Sequence, residues 1–320
     1  MTHSTHSPFC DSLQPVAQIL DCPGWNVWCC SPIYDADGRV HVLFSRWRDT
    51  FGDWLRSSEI AHAVADSPEG PYTVTGTVLS GRGGDFWDAD TIHNPTIQKV
   101  GERYALFYIG NNLAEAEKNH AHHASTQRIG LAVADSPEGP WTRISDEAPL
   151  LDVSKNPSDW DSYLTTNPAL LQHPDGKLWL YYKAWDRHND DLRKMGLAVA
   201  EKLEGPYNRY EMNPVVDFSS IDAQVEDAYV WFEQGCFHML MRDMGVIHPH
   251  VGLYLRSEDG IQWSEPQLGY EQSTVYFGGE VQRFERPQIL MKNGKADYLF
   301  CALMNSESSN AAVLKIGEWS

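Results

Sequence analysis

The sequence predicts an all-β fold, a single five-bladed β-propeller with four-stranded antiparallel blades over residues 1–320, and three observations predict it. A pattern of strand, Gly-containing turn and second strand recurs five times. A third-strand motif, AVADSPEGP or a variant of it, follows the first three of these hairpins. Helical periodicity is missing over any useful length outside one short insert.

The five hairpins are SPIYDADGRVHVLFSRW (31–47), NPTIQKVGERYALFYIGN (94–111), NPALLQHPDGKLWLYYKAW (167–185), DAYVWFEQGCFHMLMRDM (227–244) and RPQILMKNGKADYLFCAL (286–303). Their anchors Pro32, Pro95, Pro168, Ala228 and Pro287 stand 63, 73, 60 and 59 residues apart, enough for four strands each. The outer half of each blade is read in EIAHAVADSPEGPY (59–72), RIGLAVADSPEGPW (128–141), KMGLAVAEKLEGPY (194–207) and the looser VGLYLRSEDGIQW (251–263). The last blade has only NAAVLKIGEWS (310–320) after its hairpin. Its missing strand is expected from the N-terminus, around Val16–Leu20, which closes the ring and leaves no open edge. Two inserts interrupt the pattern: 111–127, read as a short helix and a His-rich loop over the pocket, and 152–166.

A formal charge of −19 argues against nucleic acid or an anionic membrane as partner. Aromatics at 12%, with 12 Trp, suit sheet packing and also stacking on sugar rings. The six cysteines show no CxxC spacing, and the start of the chain has neither a basic segment nor an apolar run. A cytoplasmic protein without disulfides is therefore expected. No cofactor is expected. The cluster His120, His122, His123 lacks matching Cys or Asp spacing, so no metal is expected either.

Propellers bind ligands where the first strands of the blades converge on the axis. The pairs just before those strands read Cys30-Ser31, His93-Asn94, Thr166-Asn167, Glu226-Asp227 and Glu285-Arg286. Asn and Ser there suit turn caps as well as binding, whereas a carboxylate crowded near an axis is costly unless something uses it. The second strands return to the same face and bring Arg46, Lys183 and Arg242, 14, 15 and 14 residues after their anchors. Cations in that register suit ion pairs or ligand clamps. Trp87-Asp88 and Trp160-Asp161 each lie seven residues before an Asn-Pro and are read as structural, the Asp bonding backbone amides. Asp90 has no counterpart in other blades.

On these residues the chain resembles the five-bladed glycoside hydrolases of families 43 and 117. VEDAYVWFEQGCFHML is similar to their acid-bearing blade, SPIYDADG (31–38) and NPALLQHPDG (167–176) to two of their Asp-Pro blades, and FERPQIL (284–290) to a segment of relatives. The resemblance implies that Glu226 is the general acid. It places Ser31 and Asn167 where those families carry a base Asp and a pKa-tuning Asp. The base is then sought in Asp90, with Glu285 as alternate. Ser31, Trp28, Arg46, His93, Asn94, Asn167, Lys183, Asp227, Arg242 and Arg286 are expected to bind substrate, Trp28 by stacking. The expected function is exo-acting, inverting hydrolysis of a short oligosaccharide. Two rivals stand beside it: an inverting phosphorylase, which needs one protein carboxylate and cations for phosphate, and a non-catalytic sugar-binding propeller.

Overall fold

Each apolar hairpin of the sequence becomes the inner half of a sheet. The computed structural model describes residues 6–186, 192–279, 282–306 and 308–319. The first blade holds β2 (Asn26–Tyr34), β3 (Val40–Trp47), β4 (Glu59–Ala65) and β5 (Thr73–Leu79). The second holds β6 (Ile92–Val100), β7 (Arg103–Gly110), β8 (Arg128–Ala134) and β9 (Thr142–Arg143); the third, β10 (Leu164–Gln172), β11 (Leu178–Trp185), β12 (Lys194–Ala200) and β13 (Asn208–Arg209). The fourth holds β14 (Gln224–Glu233), β15 (Cys236–Met244), β16 (Gly252–Ser257) and β17 (Gln267–Tyr270).

The fifth blade mixes the two ends of the chain. β18 (Arg283–Lys292), β19 (Lys295–Met304) and β20 (Ser309–Ile316) are completed by β1 (Leu13–Ile19), which pairs antiparallel with β20 from Leu13↔Ile316 to Ile19↔Ala311. This is the closure expected from the short last repeat. The inner strands β2, β6, β10, β14 and β18 pack side by side around the axis, and β18 meets β2.

The core lies between blades. Five apolar clusters each join two neighbours, such as Tyr181, Leu197, Val230 and Met239 between the third and fourth blades. Blades two and three share a further device. Trp87 stacks on Tyr108 at 5.9 Å and Trp160 lies on Tyr182 at 5.6 Å. Only glycine fits beside each pair, since a Cβ on Gly130 would sit 2.4 Å from Tyr108, and one on Gly196 would sit 2.5 Å from Trp160. Asp88 and Asp161 are structural, but not as backbone partners. They accept the tyrosine hydroxyls at 3.0 and 2.9 Å and pair with Arg82, Arg143 and Arg209.

Candidate active site

All five inner strands break their ladder at the same place. Register shifts leave Cys29–Cys30, Asn94–Pro95, Asn167–Pro168, Asp227–Ala228 and Arg286–Pro287 unpaired, a bulge at the same point of the first hairpin in every blade. The first residue of each pair has positive φ: 56, 51, 50, 65 and 59° in chain order. Non-glycine residues there cost on the order of 1–3 kcal/mol each unless their surroundings hold them. What holds them is a chain of contacts around the axis. The Cys29 thiol donates to Asn94 Oδ1 at 2.8 Å, Asn94 Nδ2 to Asn167 Oδ1 at 3.4 Å, and Asn167 Nδ2 to Asp227 Oδ1. Arg286 Nη1 donates to the same Asp227 oxygen at 3.0 Å and also faces Cys29. Burial pushes the Cys29 thiol far up, so it stays a donor.

A cavity of about 580 Å³ meets this ring, and Asn94, Asn167, Asp227 and Arg286 are part of its lining. Trp28, Trp47, Phe51 and Trp54 from the first blade and Tyr163 and Trp185 from the third form aromatic walls. His122, Ala124 and Gln127 reach it from the His-rich insert, which begins with the short helix Leu113–Lys118.

The charged centre lies between Glu226 and Glu285. One carboxylate oxygen of each of Glu226, Asp227 and Glu285 lies within 4.8 Å of the others. Three carboxylates this close could hold a metal, but Lys183, Arg242 and Arg286 are already the cations they meet. Lys183 Nζ donates to Glu226 Oε2 at 2.8 Å, and Arg193 Nε lies 3.5 Å from that oxygen. Arg242 bridges the pair, Nη1 on Glu226 and Nη2 3.0 Å from Glu285 Oε1.

These contacts separate the two acids. A buried carboxyl rises by roughly 3–5 in pKa, and each adjacent cation lowers it by about 1–3. Burial pushes Glu226 up, but Lys183, Arg242 and Arg193 together outweigh it and hold the group well below the usual carboxylate range. Glu285 has only a share of Arg242, with Arg283 farther off at 3.7 Å. Burial, helped by the charges of Glu226 and Asp227 and opposed by Arg242, raises it to about 7. Glu226, expected as the protonated acid, is thus the ionised member. Glu285, the alternate base, is the one whose carboxyl is pushed up.

Of the other expected residues, Trp28, His93, Asn94, Asn167, Lys183, Asp227, Arg242 and Arg286 line the cavity, whereas Ser31, Arg46 and Asp90 do not. His93 is neutral, pushed down to about 3 by burial and then by Arg286 and Lys183, and it meets Gln127 at 2.8 Å. Ser31 and Arg46 fail for one reason. The blade-one residue equivalent to Asn94 is Cys29, not Ser31, because Ser31-Pro32 lies just past the bulge, with Ser31 paired to Leu43. Ser31 is buried, accepting from Ile97 N and donating to Gln288. Counting from Pro32 also misplaces the cation. Lys183 and Arg242 stand opposite Thr166 and Glu226, but in blade one that position is Ser45. Arg46 is one residue further and so points to the other face, where it pairs with Glu59 at 2.8 Å and lies over Trp25.

Asp90 is exposed and accepts the Leu113 N–H at 2.7 Å, holding the insert helix rather than a water in the pocket. Arg193, Arg283 and the Trp47–Trp54 wall were missed by sequence reasoning. The aromatic run RWRDTFGDW, lengthening the connection between β3 and β4, was the available signal for the wall.

No protein-family model matches the sequence. The chain is 24% identical over 254 residues to an extracellular endo-α-(1→5)-L-arabinanase of Thermotoga petrophila, covering 72% of this chain and 48% of the relative. It therefore spans about half that relative's length. Among solved structures it is similar to a family 117 glycoside hydrolase of the marine bacterium Zobellia galactanivorans, with TM-score 0.73, 18% identity, and 97% of this chain and 91% of the other covered. It is also similar to an endo-arabinase of Bacteroides thetaiotaomicron, with TM-score 0.64, 15% identity and coverage of 95% and 98%. The likeness establishes the five-bladed architecture of glycoside hydrolase families 43 and 117.

Proposed function

We propose that this propeller is a glycoside hydrolase that cleaves the end of a short oligosaccharide with retention of anomeric configuration. The observation that carries the reading is the carboxyl pair: Glu226 held ionised and Glu285 held protonated, with an oxygen of each within 4.8 Å. Inverting pairs stand roughly 6.5–9.5 Å apart to admit water, and retaining pairs about 5–5.5 Å. Nearest oxygens this close, with both carboxyls gripped by the one Arg242 guanidinium, favour retention over the inversion expected from the family resemblance.

In the first step the Glu226 carboxylate attacks the anomeric carbon, the bond to the leaving oxygen breaks, and Glu285 gives that oxygen its proton. In the second step Glu285, now a carboxylate, takes a proton from water. The water oxygen attacks the anomeric carbon and the Glu226 ester bond breaks. Lys183 and Arg242 keep Glu226 ionised between turnovers. The aromatic walls supply faces for the sugar.

The test is a screen of oligosaccharides and aryl glycosides with and without phosphate, followed by proton NMR of the first product formed. Retained configuration without phosphate dependence is expected. An inverted product overturns the roles, phosphate-dependent release of a sugar phosphate favours the phosphorylase, and binding without any cleavage favours a sugar-binding propeller.

A further inference from the structure

The pocket holds more positive charge than its own carboxylates use. Lys183, Arg193, Arg242, Arg283 and Arg286 line it, against Glu226, Asp227 and Glu285. Arg286 is matched to Asp227, and Lys183 and Arg242 to Glu226. Among the described residues Arg193 and Arg283 reach only carboxylates that another cation already holds, Glu226 at 3.5 Å and Glu285 at 3.7 Å, so five cations face three carboxylates. This happens in a chain of net charge −19, where a random excess would be acidic.

Both arginines are held ready. Arg193 lies over the Trp185 ring at 4.9 Å, and Arg283 lies over Phe51 at 5.4 Å. Ring faces of this kind fix a guanidinium plane without consuming its hydrogen bonds. Arg193 gives Nη1 to Gln224 Oε1 at 2.7 Å, but its Nε makes no hydrogen bond among the described residues. Among the carboxylates of the described residues Arg283 approaches only Glu285, at 3.7 Å, which is beyond hydrogen-bond length. The two flank the acid pair, Arg193 beside Glu226 and Arg283 beside Glu285.

A neutral sugar gives two such guanidinium groups nothing but hydroxyls. A planar carboxylate matches their fork of donors and their charge. We propose that the sugar bound beside the acid pair carries a carboxylate, a uronosyl unit, and that Arg283 and Arg193 recognise it. The proposal rests on the glycosidase reading for the place of the sugar, but not for the anion preference.

The experiment is calorimetric titration of the protein with galacturonic, glucuronic and mannuronic acids against galactose, glucose and mannose, at low and high salt. Hydrogen bonds to a charged group lead us to expect at least one acid bound about 10–100-fold tighter than its neutral parent, with the preference weakened by salt. Arg283→Gln or Arg193→Gln should remove most of that preference, and Arg46→Gln, outside the pocket, should keep it. Equal binding of acid and parent, no binding by any acid, or a preference that survives both pocket substitutions overturns the proposal. Cleavage of neutral glycosides with no acid preference leaves the hydrolase reading standing. Tight acid binding with no uronoside ever cleaved leaves the anion site standing and removes the hydrolase.

Discussion

Asp88 and Asp161 in blades two and three, and Glu226 and Glu285 between blades four and five, are all acids of low exposure beside arginines. Their environments nevertheless do opposite things. Asp88 has two arginines, Arg143 and an Arg82 that also reaches the exposed Asp146, together with the Tyr108 hydroxyl, and Asp161 has Arg209 and the Tyr182 hydroxyl. None of those contacts faces the pocket. Glu226 and Glu285 instead share Arg242, and the other pocket cations nearby favour Glu226. Sharing a cation unequally drives two acids apart. A satisfied acid holds a blade together, and an unequally served pair stores a proton.

The largest effect that sharpens this contrast is on Glu226. Glu226→Gln should lower turnover roughly 10⁴–10⁶-fold, the scale of losing a covalent nucleophile, with the thermal midpoint little changed. Steady-state rates and a melting curve check it, and near-normal turnover would remove Glu226 from the chemistry.

Glu285→Gln comes next. Turnover should fall about 10²–10⁴-fold on natural linkages and much less on activated aryl glycosides that need no proton. The wild-type rate should fall as pH rises through about 7, where Glu285 deprotonates, and the variant should lose that limb. Stability carries its own sign. The folded pKa of Glu285 lies above the unfolded one, so its favourable contribution is full below about 4.5 and is lost as pH rises through about 7. Glu285→Gln should then gain on wild type between pH 5 and 8 in denaturant titrations, by about 3 kcal/mol at most.

On the structural side, Asp88→Asn leaves Arg82 and Arg143 without their buried anion. It should cost about 3–5 kcal/mol of stability while kcat stays within a few-fold. Gly196→Ala, which forces a Cβ against Trp160 and Tyr182, should cost about 1–3 kcal/mol, again without changing kcat. A loss of turnover in either variant at a temperature where it is folded would blur the distinction between the two kinds of acid.

The propeller was legible because each blade repeats its own local chemistry. The apolar hairpins, their Gly turns and the short last repeat specify five sheets and a closing N-terminal strand without reference to distant residues. The site was legible wherever Asn-Pro, Arg-Pro or Glu-Asp marks the bulge. It was misread in blade one, where Cys29-Cys30 form the bulge and Ser31-Pro32 imitate it two residues later. That slip carried Arg46 with it. The opposite pull on the Glu226 and Glu285 carboxyls could not be read at all. It depends on Lys183 and Arg193 from the third blade and on Arg242 lying between Glu226 of the fourth blade and Glu285 of the fifth, contacts between blades that no single repeat encodes.

The most direct measurement of the central claim is to trap the intermediate. The protein would be incubated with an activated 2-deoxy-2-fluoro glycoside of a sugar that it cleaves, digested, and the labelled peptide identified by mass spectrometry. The account expects one sugar per chain, esterified to Glu226, forming faster than it hydrolyses and still forming in Glu285→Gln. A label on Glu285, or no covalent adduct while the unfluorinated substrate is hydrolysed with inversion, would contradict it.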